Sequence, residues 1–525
     1  MSLEQLYGIS DKSSLANIVN DAFLSPMRSF TPLALDFWCH LAEGLTDDSD
    51  IAVTVDTVQK KLSKLKRSKA QEPDGIPGWL LKENADVFAE PVADIINCSF
   101  REGCLPASWK EANITPIPKE KLIQQVCKHL RPISLTSILS KLAEDFVVNE
   151  YVKPAVMEKL DPRQFGAVPR SNTTHALISM IHSWSKSTDG NGATTRVVLF
   201  DFRKAFDLVD HRILVEKIFE YTIPRRIICW IVDFLMDRKQ RVKLSNDCYS
   251  EWGAVPAGVP QGTKLGPWLF LIMINSLNVE NVDLWKYVDD SSLAENVAKG
   301  ESSCMQKYAD EFSSNASVDG FQRNETKCKE LRINFSNYPV QFEPITINDK
   351  EIEVVPSARV LGLKISNDLK WNPHTEDICK KVASRLYLLR QLKRAQLPAK
   401  DMLLFYITCI RPTIEYVCQV FHTGLPQYLS DDLESLQKRA LHIIYNEVLN
   451  ALDFTTLFER RQILNDRLFT EIVEDSSHKL NNLLPTRNSC TANLRKRRMF
   501  QLPICKTNRF KNTFIPYNLY NSSII

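Results

Sequence analysis

Apolar residues recur at helical spacing over residues 54–68, where Val55, Val58, Leu62 and Leu65 form one stripe. That pattern predicts a helix stopping before EPDGIPG at 72–78, where Pro and Gly force a turn. Helical spacing returns over 87–100, 173–186 and 211–221, and the apolar stretch 266–277 reads as a helix with Pro267 near its first position. Short extended pieces lie between. ANITPIPK at 112–119 predicts a strand ending in prolines, and RPISL at 131–135 begins another. TTRVVLFDF at 194–202 is apolar and rich in β-branched residues, the pattern of a buried strand. LWKYV and SSLAE flank the pair Asp289–Asp290 as the two arms of a hairpin. From about residue 374 the pattern is almost entirely helical. A mixed α/β middle is therefore expected to give way to an α-helical part, with a boundary near 366–373.

Composition narrows this only slightly. A chain of 525 residues exceeds one hydrophobic core and suggests two to four structural units. Its 44% hydrophobic and 25% charged residues are ordinary for a globular protein. No apolar stretch reaches the ~18–20 residues that span a bilayer, and the first residues lack the basic and apolar regions of a secretory signal. The 13 cysteines form no CxxC pair and no zinc spacing, so they read as reduced thiols, with Cys229, Cys409 and Cys418 expected in the core. Net charge is +3, but no acidic residue follows Asp475. The basic residues beyond it, from Lys479 and Arg487 to Arg509 and Lys511, read either as a surface for a polyanion or as a solvated tail.

Candidate chemistry rests on carboxylates at strand ends. Asp is depleted in strands, and Asp289–Asp290 sits in a strand-like run where a plain turn is the ordinary explanation. A second carboxylate, Asp201, terminates the apolar run VVLFDF. If the hairpin packs beside that strand, three acids converge, and a buried cluster of that kind does not stay ionised without cations. Two Mg²⁺ ions, ~3.5–4 Å apart, would offset the repulsion and promote in-line phosphoryl transfer.

LFDFRKAFDLVDH (199–211), GVPQGTKLGPWLFLIMIN (258–275) and YVDD (287–290) occur in this order and resemble motifs A, B and C of reverse transcriptases. With SKAQEPDGIP, WKEANITPIPK, LRPISLTSILSKLAE, QFGAVPRSNTTHAL, NETKCKELRINF and ARVLGLKISNDLKW, the set resembles the jockey-like branch of non-LTR (LINE) retrotransposon enzymes from about residue 50 to about residue 520.

The resemblance implies a right-hand polymerase: an α+β palm with fingers, followed by an α-helical thumb. The expected divisions are a helical extension and the start of the fingers at 1–95, fingers and palm at 96–370, thumb at 371–475 and a basic region at 476–525. It implies that Asp201 and Asp289 hold two Mg²⁺ ions (Mn²⁺ being the alternative) with the backbone carbonyl of Phe202, and that Asp290 contributes mainly field. Tyr287 would lie by the primer end, with packing in the hairpin as its plain role. Phe206, five residues after Asp201, would be the steric gate against a 2′-hydroxyl, or else a core Phe. Gln261, with Gly258, Pro260, Gly262 and Gly266, would meet the incoming nucleotide. Lys119 and Arg131 would clamp the triphosphate. Lys327 would protonate pyrophosphate, with Lys329 close enough to be confused with it. Leu361 and Gly362 resemble the primer grip, and Arg385, Arg390, Lys393 and Arg394 are candidate phosphate contacts on one helix.

Glu72 and Arg170 stand where the family frequently has glycine, and a position needing positive φ would strain either. The chain begins close to the polymerase region, so the expectation is a polymerase lacking the upstream endonuclease, with no RNase H region after it. The expected activity is RNA-directed DNA polymerisation, with RNA template, DNA primer and dNTPs as partners, no membrane, and a nuclear and cytoplasmic location. The competing readings are a catalytically inactive nucleic-acid-binding remnant and a maturase-like splicing factor.

Overall fold

The computed structural model describes residues 11–34, 51–67, 73–119, 122–245, 247–336, 340–445, 454–488 and 499–521. The chain forms two compact units, the first from 1–161, 202–278 and 314–323 and the second from 162–201, 279–313 and 324–525.

In the first unit, the strand Glu111–Pro118 lies between Leu130–Leu135, antiparallel, and Lys239–Ser245, parallel. The helix Lys12–Leu24, which the apolar pattern did not reveal, is capped by Asp11 accepting from Ser13 and Ser14 N–H. Its Val19 and Phe23 pack on Ala112, Ile114 and Val242 of that sheet. The helix read over 54–68 spans only Val55–Ser63, and its buried stripe is Val58 and Leu62, with Val55 exposed. The helix read over 87–100 runs Ala85–Glu102 through Pro91 and ends on Gly103 in the left-handed conformation. Its Phe100 meets Trp230 edge-on at 5.6 Å.

In the second unit, a five-stranded sheet has the order Glu353–Val355, Lys329–Asn334, Thr194–Phe200, Asp290–Val297, Asp283–Tyr287. The central strand is buried at all but one position, its apolar VVLF end in the core and its Arg196 buried against Glu330. The helices Asn372–Arg394, Gln427–Tyr445 and Leu457–Glu474 extend its core. Of the three cysteines expected in the core, Cys418 is buried and Cys229 and Cys409 are half-buried.

Arg170 has φ 58, the left-handed conformation for which glycine is suited, while Glu72 lies outside the described residues. Among the described residues no helix is long and apolar enough to cross a membrane.

Arg196 on the central strand donates from Nε to Glu330 at 2.7 Å, and Arg332 donates to both Glu330 oxygens. Arg196 and Glu330 are almost wholly buried. Removing Glu330 leaves Arg196 buried in the sheet without its counterion, so Glu330→Ala is expected to cost about 3 kcal/mol in chemical denaturation, and Arg196→Ala less, because Arg332 still pairs with Glu330.

Candidate active site

The acidic turn belongs to the second unit. Phe200 pairs with Ser291 and Tyr287 with Asp290, so Asp201 follows the last paired residue of its strand at the end of the sheet where Asp290 begins the next. The hairpin closes through only Val288 and Asp289. Val288 has φ 60, a strained conformation for a β-branched residue. The segment before the helix Thr173–Ser187 holds it there. Gln164 Oε1 accepts from Val288 N–H and from Gly166 N–H, each at 3.0 Å. Phe165 N–H donates to Lys286 O, and Lys286 N–H donates to Arg163 O. A Cβ on Gly166 would lie 2.6 Å from Val288 N, so only glycine allows this approach. Lys479 Nζ donates to the carbonyl of Gln164 and stands 5.0 Å over the Phe165 ring. This basic residue of the C-terminal region therefore supports the clamp. Arg509 likewise turns inward, donating to Thr188 O at 2.6 Å.

Burial, then Asp289 and Asp201, push the Asp290 carboxyl up to about 6. Asp201 Oδ2 accepts from Asn324 Nδ2 at 3.0 Å and lies 3.9 Å from Lys327 Nζ. Lys329 instead pairs with Glu353, which separates the two lysines. Among the described residues no three His, Cys, Asp or Glu side chains form a ready chelating cluster. The donor chemistry nevertheless fits a hard divalent cation, since a positive ion among these carboxylates would remove the repulsion that raises Asp290.

Leu361 (φ 46) and Gly362 (φ 85) form the two-residue loop between Ser357–Val360 and Leu363–Ser366. Tyr416 Oη donates to Leu361 O at 2.8 Å, and Tyr416 is also a neighbour of Tyr287, whose hydroxyl pKa is raised by burial and then by Tyr416. Gln164 and Tyr416 were not singled out from the sequence; the order of QFG before a helix was the only available signal for the first. Arg385 donates to Cys409 O and Thr413, and Lys393 to Ile444 O at 2.9 Å, so these two of the four basic residues face the helix packing while Arg390 and Arg394 are exposed.

The glycine-rich loop belongs to the first unit. Gly258 (φ 85) and Gly262 (φ 119) need positive φ, and a Cβ on them would lie 2.6 Å from Asp207 O and 2.5 Å from Ser134 O. Ser134 N–H donates to Gln261 O at 2.7 Å, and Gln261 Nε2 donates to Asp207 Oδ1 at 3.0 Å. Half-buried Phe206 stacks on Phe270 with ring centroids 4.2 Å apart. Phe202, buried, also falls in this unit, its ring 5.1 Å from Phe321. Lys119 and Arg131 are exposed at the connected end of the Glu111–Pro118 and Leu130–Leu135 pair, where Pro118 lies opposite Leu130.

Residues 117–365 match the reverse transcriptase (RNA-dependent DNA polymerase) family. The chain carries a reverse transcriptase domain. This domain spans the acidic turn, the glycine-rich loop and the Leu361–Gly362 hairpin. Beyond it, residues 371–411 match the N-terminal family of alkylated DNA repair protein alkB homolog 8. The chain is 25% identical over 75% of its length to the RNA-directed DNA polymerase from mobile element jockey of Drosophila melanogaster, covering 44% of that protein. It is 25% identical over 82% of its length to the probable RNA-directed DNA polymerase from transposon X-element of the same organism, covering 48% of it. For the transposon BS protein the figures are 25%, 69% and 42%. The chain thus spans about half the length of the curated relatives it matches, and they mark it as similar to jockey-like non-LTR retrotransposon proteins. A solved apo telomerase from Candida tropicalis matches at TM-score 0.34 and 15% identity over 54% of this chain and 59% of that one, a similarity that by itself decides nothing about the fold.

Because the Asp290 pKa is raised from 3.8 to about 6, the unfolded chain ionises first and the folded state loses stability as pH rises between those values. The loss is about 1 kcal/mol, since solvent reaches and screens the group. In EDTA, Asp290→Asn is expected to melt higher than wild type at pH 8 and no higher at pH 4. Melting curves that keep the same order at both pH values would contradict the assignment.

Proposed function

We propose that the protein is an RNA-directed DNA polymerase that extends a primer 3′ end with dNTPs on an RNA template. The observation that carries this reading is the approach of Asp201 to the Asp289–Asp290 turn at one end of the sheet, within a reverse transcriptase domain. A right-hand arrangement of fingers, palm and thumb goes with it.

In this reading Asp201 and Asp289 hold divalent ions, two Mg²⁺ in number, and Asp290 supplies negative field. The ions, when bound, lower the pKa of the primer hydroxyl and neutralise charge on the reacting phosphates. Lys327, whose ammonium reaches toward Asp201, gives a proton to the departing pyrophosphate. Tyr287, Leu361 and Gly362 seat the primer end, and the bond from Tyr416 to the Leu361 carbonyl stiffens that seat. On the nucleotide side, Gln261 and Gly262 meet the incoming dNTP and Lys119 and Arg131 its triphosphate. Phe206, half-buried and stacked on Phe270, presents the ring that would exclude a 2′-hydroxyl.

Primer extension on an RNA template, with dNTPs and Mg²⁺, tests the activity. Asp289→Asn is expected to lower synthesis by at least about 10³-fold while leaving the melting temperature nearly unchanged. Template–primer binding with no extension by the wild-type protein would favour the inactive remnant instead. Phe206→Val is expected to raise rNTP incorporation relative to dNTP by about tenfold or more. An unchanged ratio would return Phe206 to a packing role.

A further inference from the structure

Asp207 follows the gate residue, and the polymerase reading gives it no task. It is half-buried, and burial is the main cause raising its carboxyl pKa, against the lowering influence of Lys204, the hydrogen bond from Gln261 and Lys119. Burying a carboxylate is costly unless it is hydrogen-bonded or paired. The carboxylate accepts a hydrogen bond from Gln261 Nε2 at 3.0 Å. Both residues line a small cavity of about 30 Å³ behind the glycine-rich loop, together with Ser134, Arg238, Phe23 and Met27.

The backbone around this pair is already fixed by other bonds. Val259 N–H donates to Phe206 O and Gly258 N–H to Val209 O, each at 2.8 Å, while Ser134 N–H holds the Gln261 carbonyl. His211 Nε2 lies 2.7 Å from Gly258 O. The loop therefore does not need the Asp207 side chain for its path. What the carboxylate adds is a choice of amide orientation. An amide turned by half a rotation exchanges a donor for an acceptor at nearly the same shape, and an ionised carboxylate only accepts.

We propose that Asp207 is a positioning residue for nucleotide recognition: its carboxylate draws Gln261 Nε2 inward and leaves Oε1 of the same amide as the group offered to the incoming dNTP. The inference rests on the polymerase reading and deepens it. Asp207 touches no substrate; it acts through Gln261. Pre-setting one of two near-equal amide orientations removes an ordering cost from dNTP binding.

The test is steady-state primer extension over a dNTP titration with wild type, Asp207→Asn, Asp207→Ala, Gln261→Ala and the double alanine variant, each checked by thermal melting and template–primer affinity. Asp207→Ala and Gln261→Ala are each expected to raise KM for dNTP about tenfold, with template–primer affinity unchanged. The double variant should be no worse than Gln261→Ala alone. Asp207→Asn should restore KM to within about threefold of wild type, because its Oδ1 still accepts from Nε2. Alanine effects that multiply to about a hundredfold, an Asn variant as impaired as Ala, or an Asp207→Ala chain without a cooperative melt would each overturn the proposal. A wild-type protein that extends no primer would overturn the polymerase reading, and this inference with it. Wild-type extension with any of the contrary variant results overturns the inference alone.

Discussion

Crowding of carboxylates at one end of a sheet is the constraint on which the acidic turn depends. The antiparallel register of Thr194–Phe200 with Asp290–Val297 puts Asp201 at the end where Asp290 begins, and Asp289 sits in the two-residue loop beside it. Burial and the two neighbouring charges raise the Asp290 pKa, which is a direct sign of the cost. In the polymerase proposed above, bound divalent cations would offset the repulsion among these acids.

Holding this arrangement recruits residues from distant parts of the chain. Gln164 satisfies the strained Val288 amide, Gly166 lets two backbones approach, and Lys479 supports the segment from beneath. The interior Arg196–Glu330–Arg332 network fixes neighbouring strands of the same sheet. The glycine-rich loop of the first unit follows a similar logic. Gly258 and Gly262 admit positive φ and close contact, and neighbouring backbone bonds set the loop path. At the acidic turn a side chain, Gln164, helps fix the backbone, whereas at the glycine-rich loop backbone bonds set the path and Asp207 holds the Gln261 amide.

The strands of the acidic turn were legible because their signals are local. A β-branched apolar run and two arms around Asp289–Asp290 suffice to draw them, and the structure has Thr194–Phe200, Asp283–Tyr287 and Asp290–Val297. Helices with a clean apolar stripe, such as Thr173–Ser187, were equally legible. What failed was the fate of individual side chains that long-range partners decide. Val55 fits a helical stripe but is exposed. Lys479 and Arg385 look like cations awaiting phosphate, yet each is used on nearby carbonyls. Gln164, Tyr416 and Asp207 have ordinary local surroundings, and only the fold reveals what they hold.

The most direct test of the central claim is Mn²⁺ binding followed by electron paramagnetic resonance, with no nucleic acid present. At pH 8 the wild-type protein is predicted to bind Mn²⁺ at a site that Asp201→Asn and Asp289→Asn each weaken by at least about tenfold. Mn²⁺ binding unaltered by both substitutions would contradict the claim that these acids meet around a divalent cation.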